Sequence, residues 1–492
     1  MKFPATVIVL LSFCMFPAAS QNVLTIERAL EFAQENSPAV KQELMSIERN
    51  RLNLKAQRAA LKSNFSLTLN PVGYSVSRKF RDYDGQWYTS ESFQTGGSLQ
   101  IVQPILLTDG VISLRNNFSW QNSSVNENGV NVGNNAFLNS LTLNLEQPLF
   151  LSNSLKRALK QNEFALENAE ISYALKRLQL ESDITSDFYA VFNSQSTLET
   201  AKSSFVNSKK NYEIIKNKTE AELAPKEELY QIMVTLAKDS ASVESAIVQL
   251  ENAKDKLKRT VGMNLDEEFD VKAEIDVKAV TVDEDMAVEH AFASRLELRR
   301  REIEAKLSEY SLIVEKEKNR FNGKVGLSLG LTGNDPVFGD MYSKPTQSPS
   351  VGVTFTVPIF DWGENRARVK AKELEIKSQE LEAGEERIDI VMYIRQECRA
   401  LRNLQTQVEI AEQNIINAQL TYDLNMVRYR NGDLSGMGFV QFQTQLTSAK
   451  NDYTNALIKY KESLLRLKIL SLYDFERNVE VVPLSDYSVK SK

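Results

Sequence analysis

The stretches LTLNLEQPLF at 141–150 and VGVTFTVPIF at 351–360 decide the fold of this 492-residue chain. Apolar residues alternate with polar or small ones in both, and both end in Pro-x-Phe, which predicts a β-strand with two unlike faces. Each stretch is followed by about seventy residues without proline, whose apolar residues recur at helical spacing. A strand that feeds a very long helix, twice, predicts an internal repeat rather than a catalytic domain.

The two copies align without a gap when the numbering is shifted by 210. The matched pairs include Pro148/Pro358, Phe150/Phe360, Lys160/Lys370, Ala201/Ala411, Asn207/Asn417 and Tyr212/Tyr422. A helix of seventy residues is on the order of 100 Å long. It must bury one face to be stable, because isolated helices are marginal in water. The repeat therefore predicts two long helical hairpins with coiled-coil packing.

The N-terminus predicts export. Lys2, the apolar residues 7–16 and the small residues before a cleavage point after Ser20 form a secretory signal at residues 1–20. The mature chain then has one cysteine, Cys398, so no internal disulfide forms, and lipidation at Cys14 is the weaker alternative. It contains no run of 18 apolar residues, so no transmembrane helix is expected. The net charge of −6 argues against a nucleic-acid partner.

Strand-like alternation is clear in four segments and weaker in two, residues 99–102 and 111–120. Residues 81–91, 121–135 and 332–350 are polar and predict loops. A few strands with one apolar face cannot stand alone in lipid, because their edges would leave backbone groups unpaired. One chain offers too few strands for a wide pore, so several protomers are expected to share a barrel.

The domain organisation follows from these patterns. The predicted order is a signal peptide at 1–20, N-terminal helices at 21–63, a first β segment with an extra loop or hairpin at 64–150, a first helical hairpin at 151–262 with its tip at about 221–228, a linker with helices at 263–319, a second β segment at 320–360, a second hairpin at 361–470 with its tip at about 431–438, and a tail at 471–492. Local signals place Thr25 as an N-cap, Pro38 at the first position of a helix and Gly262 as a C-cap.

Candidate catalytic and metal-binding residues are few. His290 is the only histidine and lacks the partners that a metal or catalytic site needs, so a surface position on a helix is expected. Cys398 is predicted to be a packed thiol, at the position of Phe188 in the first copy. No catalytic site, metal site or cofactor is therefore expected.

The chain resembles the TolC-type outer-membrane efflux proteins. The resemblance rests on Gln147–Phe150, on Val357–Gly363, on the long helices and on the pattern at Thr447–Ala456. It implies a mixed α and β homotrimer, in which about four strands per protomer form one transmembrane β-barrel that continues into a periplasmic α-helical coiled-coil barrel. It also implies location in the outer membrane of a Gram-negative-type cell, in contact with outer-membrane lipid.

The implied function is that of a passive exit duct of a tripartite efflux or type I secretion system, conducting small molecules or protein. Its partners would be a periplasmic membrane-fusion adaptor and an inner-membrane pump. The main alternative is an exported periplasmic coiled-coil scaffold or adaptor without a pore, against which the alternating strands argue. An enzyme is a third class, with little support from the motifs.

The resemblance also implies candidate sites. Adaptor docking is expected at the tips, with two registers open, since either Glu222 or Ala221 can match Gly432. The docking candidates are Glu222, Leu223, Pro225, Gly432, Asp433 and Leu434. The periplasmic entrance candidates are Glu227, Glu228, Asp433, Gly438 and Gln441, and capping is the simpler role for the two glutamates. The strand-to-helix junctions are expected at Pro148, Phe150, Pro358, Phe360 and Gly363.

Overall fold

A computed structural model describes residues 23–82, 85–127, 130–272 and 280–481. The proposed signal peptide and the end of the C-terminal tail lie outside these residues. The chain divides into two compact units. Unit 1 holds residues 1–44, 172–296 and 387–492, and unit 2 holds residues 45–171 and 297–386.

Eight α-helices are found among the described residues, and they come in matching pairs. Short helices precede the sheet strands in each half, and a long and a medium helix follow them. The helices are α1 Ile26–Asn36, α2 Pro38–Ala60, α3 Ser154–Glu220, α4 Lys226–Val261, α5 Glu284–Ser294, α6 Leu296–Lys318, α7 Glu364–Asn431 and α8 Gly436–Ser471. The Thr25 side chain accepts a hydrogen bond from the Arg28 amide, and α2 begins at Pro38, as predicted.

A six-stranded antiparallel sheet forms most of unit 2. Ten strands are described in all: β1 Val23–Leu24, β2 Asn64–Arg81, β3 Gln86–Ile105, β4 Gly110–Glu127, β5 Val130–Leu149, β6 Asp270–Val271, β7 Asn322–Asp335, β8 Thr346–Thr356, β9 Tyr473–Asp474 and β10 Val479–Glu480. The sheet order is β2-β3-β4-β5-β7-β8. The remaining strands form two small pairs, β1 with β6 and β9 with β10.

The sheet has two strands more than the four expected from the resemblance. The weak segments 99–102 and 111–120 are parts of β3 and β4. The described parts of the predicted loops at 81–91 and 121–135 are largely strand, and residues 83–84 and 128–129 of these loops lie outside the described residues. Their Asn, Ser, Gly and Thr residues include poor strand formers, and pairing over the full strand length overrides that preference. The ends of 332–350 likewise belong to β7 and β8.

The core of unit 1 forms where α3 meets α4 and α1. Helix α1 contacts α4 and contributes the small residues Ala29 and Ala33 to the core, and α3 contributes large apolar residues to the same buried cluster. This cluster contains Ala29, Ala33, Val40, Leu180, Ile184, Phe188, Val191, Leu198, Ala246, Leu250, Leu257, Val261, Phe269 and Val271. Gly262 ends α4 with φ +87°, the predicted C-cap conformation.

The second long hairpin has its own buried residues, among them Cys398, Leu401, Tyr460 and Leu467. The Cys398 side chain is buried like Phe188, its partner in the repeat, which agrees with a packed thiol. Burial raises the pKa of the Cys398 thiol to about 11, so the thiol is protonated at neutral pH and is a weak nucleophile.

None of the helices in the described part of the chain combines the length and the hydropathy that a membrane span requires.

Candidate functional site

The turn between α3 and α4 and the turn between α7 and α8 have the same backbone hydrogen bonds. The Leu223 amide donates to the Lys218 carbonyl at 2.7 Å, and the Asp433 amide donates to the Arg428 carbonyl at 2.9 Å. This bond closes the end of a helix whose last carbonyls lack partners within it. We call the two segments, residues 218–228 and 428–438, the first and second tips.

Each tip contains one residue in the left-handed region at the same place in the repeat. Glu222 has φ +60° and Gly432 has φ +87°. The two registers left open by the sequence are thereby reduced to one, because Glu222 and Gly432 occupy the same turn position in the two copies. A side chain in this conformation costs roughly 1–2 kcal/mol, which glycine avoids. The first tip is therefore the more strained of the two.

Exchanging the residue types at this position is expected to have opposite effects at the two tips. Gly432→Ala adds a Cβ that meets no atom within 4 Å, so only the backbone strain acts. We expect the free energy of opening that protects the Asp433 amide from exchange to fall by about 1 kcal/mol, so this amide should exchange about fivefold faster. Glu222→Gly should slow the exchange of the Leu223 amide. Hydrogen-exchange mass spectrometry measures both, and faster exchange in Glu222→Gly would contradict the strain argument.

The two tips are joined through Glu228. Its Oε1 accepts a hydrogen bond of 2.7 Å from the amide of Gly436, the first residue of α8. A Cβ on Gly436 would lie 2.8 Å from this carboxylate oxygen, so glycine permits the approach. A carboxylate at a helix N-terminus pairs with an amide that has no partner in the helix. Glu228 thus caps the helix of the other hairpin, besides lying in the first turn of α4.

Removing this cap is expected to loosen the start of α8. Glu228→Ala leaves the amide of buried Gly436 without its acceptor, a loss of about 0.5–2 kcal/mol on the scale of helix caps. Glu227→Ala is the matched control, because Glu227 is exposed and in the same first turn of α4. Amide exchange at Gly436 should rise in the first variant only. Equal exchange rates of the Gly436 amide in both variants would show that the bond from Glu228 does not stabilise the start of α8.

An aromatic cluster lies beside this cap. The rings of Tyr429 and Phe439 stack at 4.9 Å with an interplanar angle of 8°, and Tyr422 lies 5.4 Å from Phe439. The Lys218 Nζ lies 5.6 Å from the centre of the Tyr429 ring, which brings α3 into the cluster. Burial, with the nearby Glu228 charge, raises the pKa of Tyr429. Within the described residues, the Tyr429 hydroxyl has no hydrogen-bond partner.

The remaining tip candidates differ in exposure. Leu223 is 78 % exposed, whereas Leu434 is half-buried and approaches the backbone of Gly438. Gly438 donates its amide to the Ser435 hydroxyl, which caps α8. The others, Pro225, Glu227, Asp433 and Gln441, are exposed. The exposed leucine and the acidic residues give the first tip a mixed apolar and acidic surface.

The strand-to-helix junctions have unusual backbone conformations. Pro148 lies within β5, and Phe150 follows this strand with φ +66°. Pro358 and Phe360 lie between β8 and α7, and Gly363 directly precedes α7 with φ +84°. The Phe360 ring contacts the ring of Trp362 edge-on at 4.7 Å, and both are exposed.

Capping at the start of α7 was missed by the sequence reasoning. The Asp361 carboxylate accepts hydrogen bonds from the amides of Asn365 and Gly363, and these bonds lower its pKa. An Asp followed by Gly shortly before a helical pattern is the signal for this cap. The equivalent amide of α3, Leu155, donates instead to Asp109 in the turn between β3 and β4. Nothing local in the sequence indicates that partner.

The described residues contain no group of three or more His, Cys, Asp or Glu side chains that could hold a metal ion. His290 stacks on Tyr473 with ring centroids 4.5 Å apart, and its Nδ1 lies 3.3 Å from Glu480. These contacts attach the pair β9–β10 to α5, a structural role.

Solved structures share this fold. The Campylobacter jejuni CmeC outer membrane channel aligns with a TM-score of 0.70 and 16% identity, covering 95% of this chain and 89% of that one. VceC, an outer membrane protein of Vibrio cholerae, aligns with a TM-score of 0.64 and 12% identity, covering 90% of this chain and 94% of that one. The open state of the Neisseria gonorrhoeae MtrE outer membrane channel aligns with a TM-score of 0.63 and 14% identity, covering 91% of this chain and 88% of that one.

Sequence comparison reaches part of the chain. No curated protein matches significantly. The family model of the outer membrane efflux proteins matches residues 288–471, which include most of α5, all of α6 to α8 and strands β7 and β8. Residues 288–471 are thus similar to the outer membrane efflux proteins, and the chain shares its fold with solved outer membrane channels.

Proposed function

We propose that the protein is an outer-membrane exit duct of a tripartite efflux or type I secretion system, conducting small molecules or protein passively from the periplasm. The family and the shared fold of the solved channels support this function. The main observation behind it is the sheet of unit 2. Large apolar residues at alternate positions of its strands are exposed, for example Phe65 at 67 % and Leu67 at 66 %. Such a surface needs an apolar partner, which lipid provides.

The assembly that we propose is a homotrimer. The outer strands β2 and β8 each have one edge without a partner in the described chain. Unpaired edges cannot face lipid, so neighbouring copies would have to supply the pairing. A shared barrel would thus place the sheet in the outer membrane and the long helices in the periplasm.

The proposed partners at the tips are a periplasmic membrane-fusion adaptor and, through it, an inner-membrane pump. The exposed Leu223 and the neighbouring acidic side chains support a contact of mixed character at the first tip. The cap from Glu228 to Gly436 joins the two tips of one chain, so an adaptor that displaces one tip would also displace the other. Opening would therefore be a conformational step without chemistry, and the family consists of channels rather than enzymes.

Fractionation and conductance test this proposal. The full chain is expressed in a Gram-negative host, and its outer membranes are separated from the periplasm. A heat-modifiable oligomer in the outer membrane, which conducts ions in planar bilayers, is the expected result. A soluble periplasmic species would instead support a coiled-coil scaffold. An outer-membrane protein without conductance would rule out the duct.

A further inference from the structure

The two halves of the chain repeat with two different offsets. Helices α1 and α5 begin at 26 and 284 and end at 36 and 294, so both bounds shift by 258, and the bounds of α2 and α6 shift equally. After the sheet strands the shift is 210, since α3 and α7 begin at 154 and 364, and α4 and α8 at 226 and 436. The first half therefore holds 48 additional residues between α2 and α3, the difference between 258 and 210.

The strands locate these residues. β2 begins at 64 and β7 at 322, again a shift of 258, so β2 and β7 correspond. The strand before α3 is β5 and the strand before α7 is β8, so these two correspond as well. Between the end of β2 at 81 and the start of β5 at 130 lie residues 82–129, which number 48. The equivalent connection between β7 and β8 is residues 336–345, which number 10, so 38 of the additional residues belong to the β3–β4 hairpin with its connections and the rest mainly to the longer β2 and β5.

The hairpin continues the two faces of the sheet in register. One row of paired residues is apolar across all six strands, namely Phe65, Ile101, Leu114, Leu143, Leu329 and Pro349. The row beside it is polar or small, namely Ser66, Gln100, Arg115, Thr142, Gly330 and Ser348. A hairpin that only decorated the surface would not need this alternation in phase with its neighbours.

Aromatic residues border the apolar face on two sides. Toward the strand ends distant from the helices, Phe93 contacts Trp120 and Phe118 stacks on Phe137. Toward the other ends, beside Leu149, Phe355 stacks on Phe321. From Leu149 to Phe137 the strand rises about 40 Å, or about 30 Å at a barrel tilt near 40°. This equals the hydrocarbon thickness of a bilayer, about 30 Å.

The turn of the hairpin is also part of the junction with α3. Asp109 accepts hydrogen bonds from the Leu155 amide at 2.9 Å and from the Ser154 hydroxyl at 3.0 Å. Asn153 caps α3 locally, and its side-chain amide donates to the Leu106 carbonyl of the same turn at 2.7 Å. Three residues at the start of the long helix, Asn153, Ser154 and Leu155, are thus bound to the turn of the hairpin.

In the second half of the chain, a local carboxylate makes the contact that the hairpin makes in the first half. There the amide of Asn365, equivalent to that of Leu155, is capped by the local Asp361. The position equivalent to Asp361 in the first half is Leu151, which has no carboxylate. The hairpin therefore supplies the carboxylate that the first junction lacks, as an integral part of the wall would.

We propose that the β3–β4 hairpin is part of the lipid-facing wall, so that each chain contributes six strands. The inference rests on the proposed function. Six antiparallel strands leave β2 and β8 running in opposite directions, so β8 of one copy can pair antiparallel with β2 of the next. A closed trimer then has eighteen strands rather than twelve, and its barrel is about one and a half times as wide, because diameter grows nearly linearly with strand number.

Nitroxide labels at single cysteines test the lipid-facing hairpin in the full-length protein reconstituted into liposomes. The positions are Leu114→Cys on the apolar face of the hairpin, Ser113→Cys on its polar face and Leu143→Cys in β5. Cys398 is buried and should stay unlabelled. Relaxation by oxygen reports lipid, and relaxation by a water-soluble nickel chelate reports water. We expect relaxation by oxygen to exceed relaxation by nickel at Leu114→Cys and Leu143→Cys, and the reverse at Ser113→Cys.

Two other results separate the inference from the function on which it rests. If Leu143→Cys reports lipid and Leu114→Cys reports water, the hairpin lies outside the membrane and the inference is overturned, whereas the duct stands. If neither position reports lipid, the membrane-embedded sheet and the proposed function both fail. Electron microscopy of the reconstituted oligomer gives a second readout, since eighteen strands support the inference and twelve overturn it.

Discussion

Replacing Phe439 with alanine is expected to destabilise the two tips by about 3–5 kcal/mol, the usual cost of truncating a buried phenylalanine. The Phe439 side chain is fully buried and contacts the rings of both Tyr429 and Tyr422. Its loss opens a cavity next to the cap that Glu228 makes on α8. The amides of the first turns of α8 should therefore exchange far faster, as measured by hydrogen-exchange mass spectrometry.

Met437→Ala is the matched control for this variant. Met437 lies two positions before Phe439 in the same turn of α8 but is 51 % exposed. We expect a change within about 0.5 kcal/mol, as for most surface substitutions. Similar exchange rates in both variants would mean that the aromatic cluster does not hold the tips together.

The second large effect is expected at the end of α4, where Gly262→Ala should destabilise unit 1 by about 2–5 kcal/mol. About 1–2 kcal/mol comes from a side chain at φ +87°, and about 1–3 kcal/mol from crowding. The new Cβ would lie 2.6 Å from the Asn36 carbonyl oxygen, a backbone atom that cannot move independently. A lower thermal midpoint of the purified protein measures the effect.

Gly384→Ala provides a control of opposite sign. Gly384 lies within α7, and an added Cβ there meets no atom within 4 Å. Alanine in a helix interior stabilises by about 0.5–1 kcal/mol relative to glycine. A Gly262→Ala protein that melts at or above the parent would contradict the crowding at Asn36.

The second half of the chain shows why crowding matters at this site. The residue equivalent to Gly262 is Leu472, which caps α8 with φ +53° and is itself buried. A left-handed backbone alone is therefore tolerated at this position of the repeat. What distinguishes Gly262 is the backbone of Asn36, which lies against it and leaves no room for a side chain.

Much of the fold was predictable because it depends on local signals. Helical spacing, Pro38 and Gly262 indicated where helices begin and end, and the gap-free alignment of the two copies indicated that the two long helices correspond. The hairpin β3–β4 was only partly recognised. Its strands contain many Asn, Ser and Gly residues, so their identity as strands depends on cross-strand pairing rather than on composition.

At the tips too, local signals identified candidate residues but not their contacts with distant parts of the chain. Glu222, Gly432 and Glu228 were candidates from the sequence, but the register between the tips and the bond from Glu228 to the other hairpin were not predicted. Tyr429, Phe439 and Gly436 were not singled out, because aromatic and small residues recur throughout the long helices. Their significance lies in contacts with residues that are distant in the chain.

The sequence by itself was enough to predict an export signal, the duplicated strand and helix, the mixed fold and the resemblance to a family. These depend on composition and on patterns within one helix or strand, where side-chain spacing follows backbone geometry. Tertiary structure alone decided the six-stranded sheet, the cap of Asp109 on α3 and the bond from Glu228 to Gly436. Those two bonds join residues 46 and 208 positions apart. Which distant groups meet is set by the packing of the whole chain, and no local pattern encodes it.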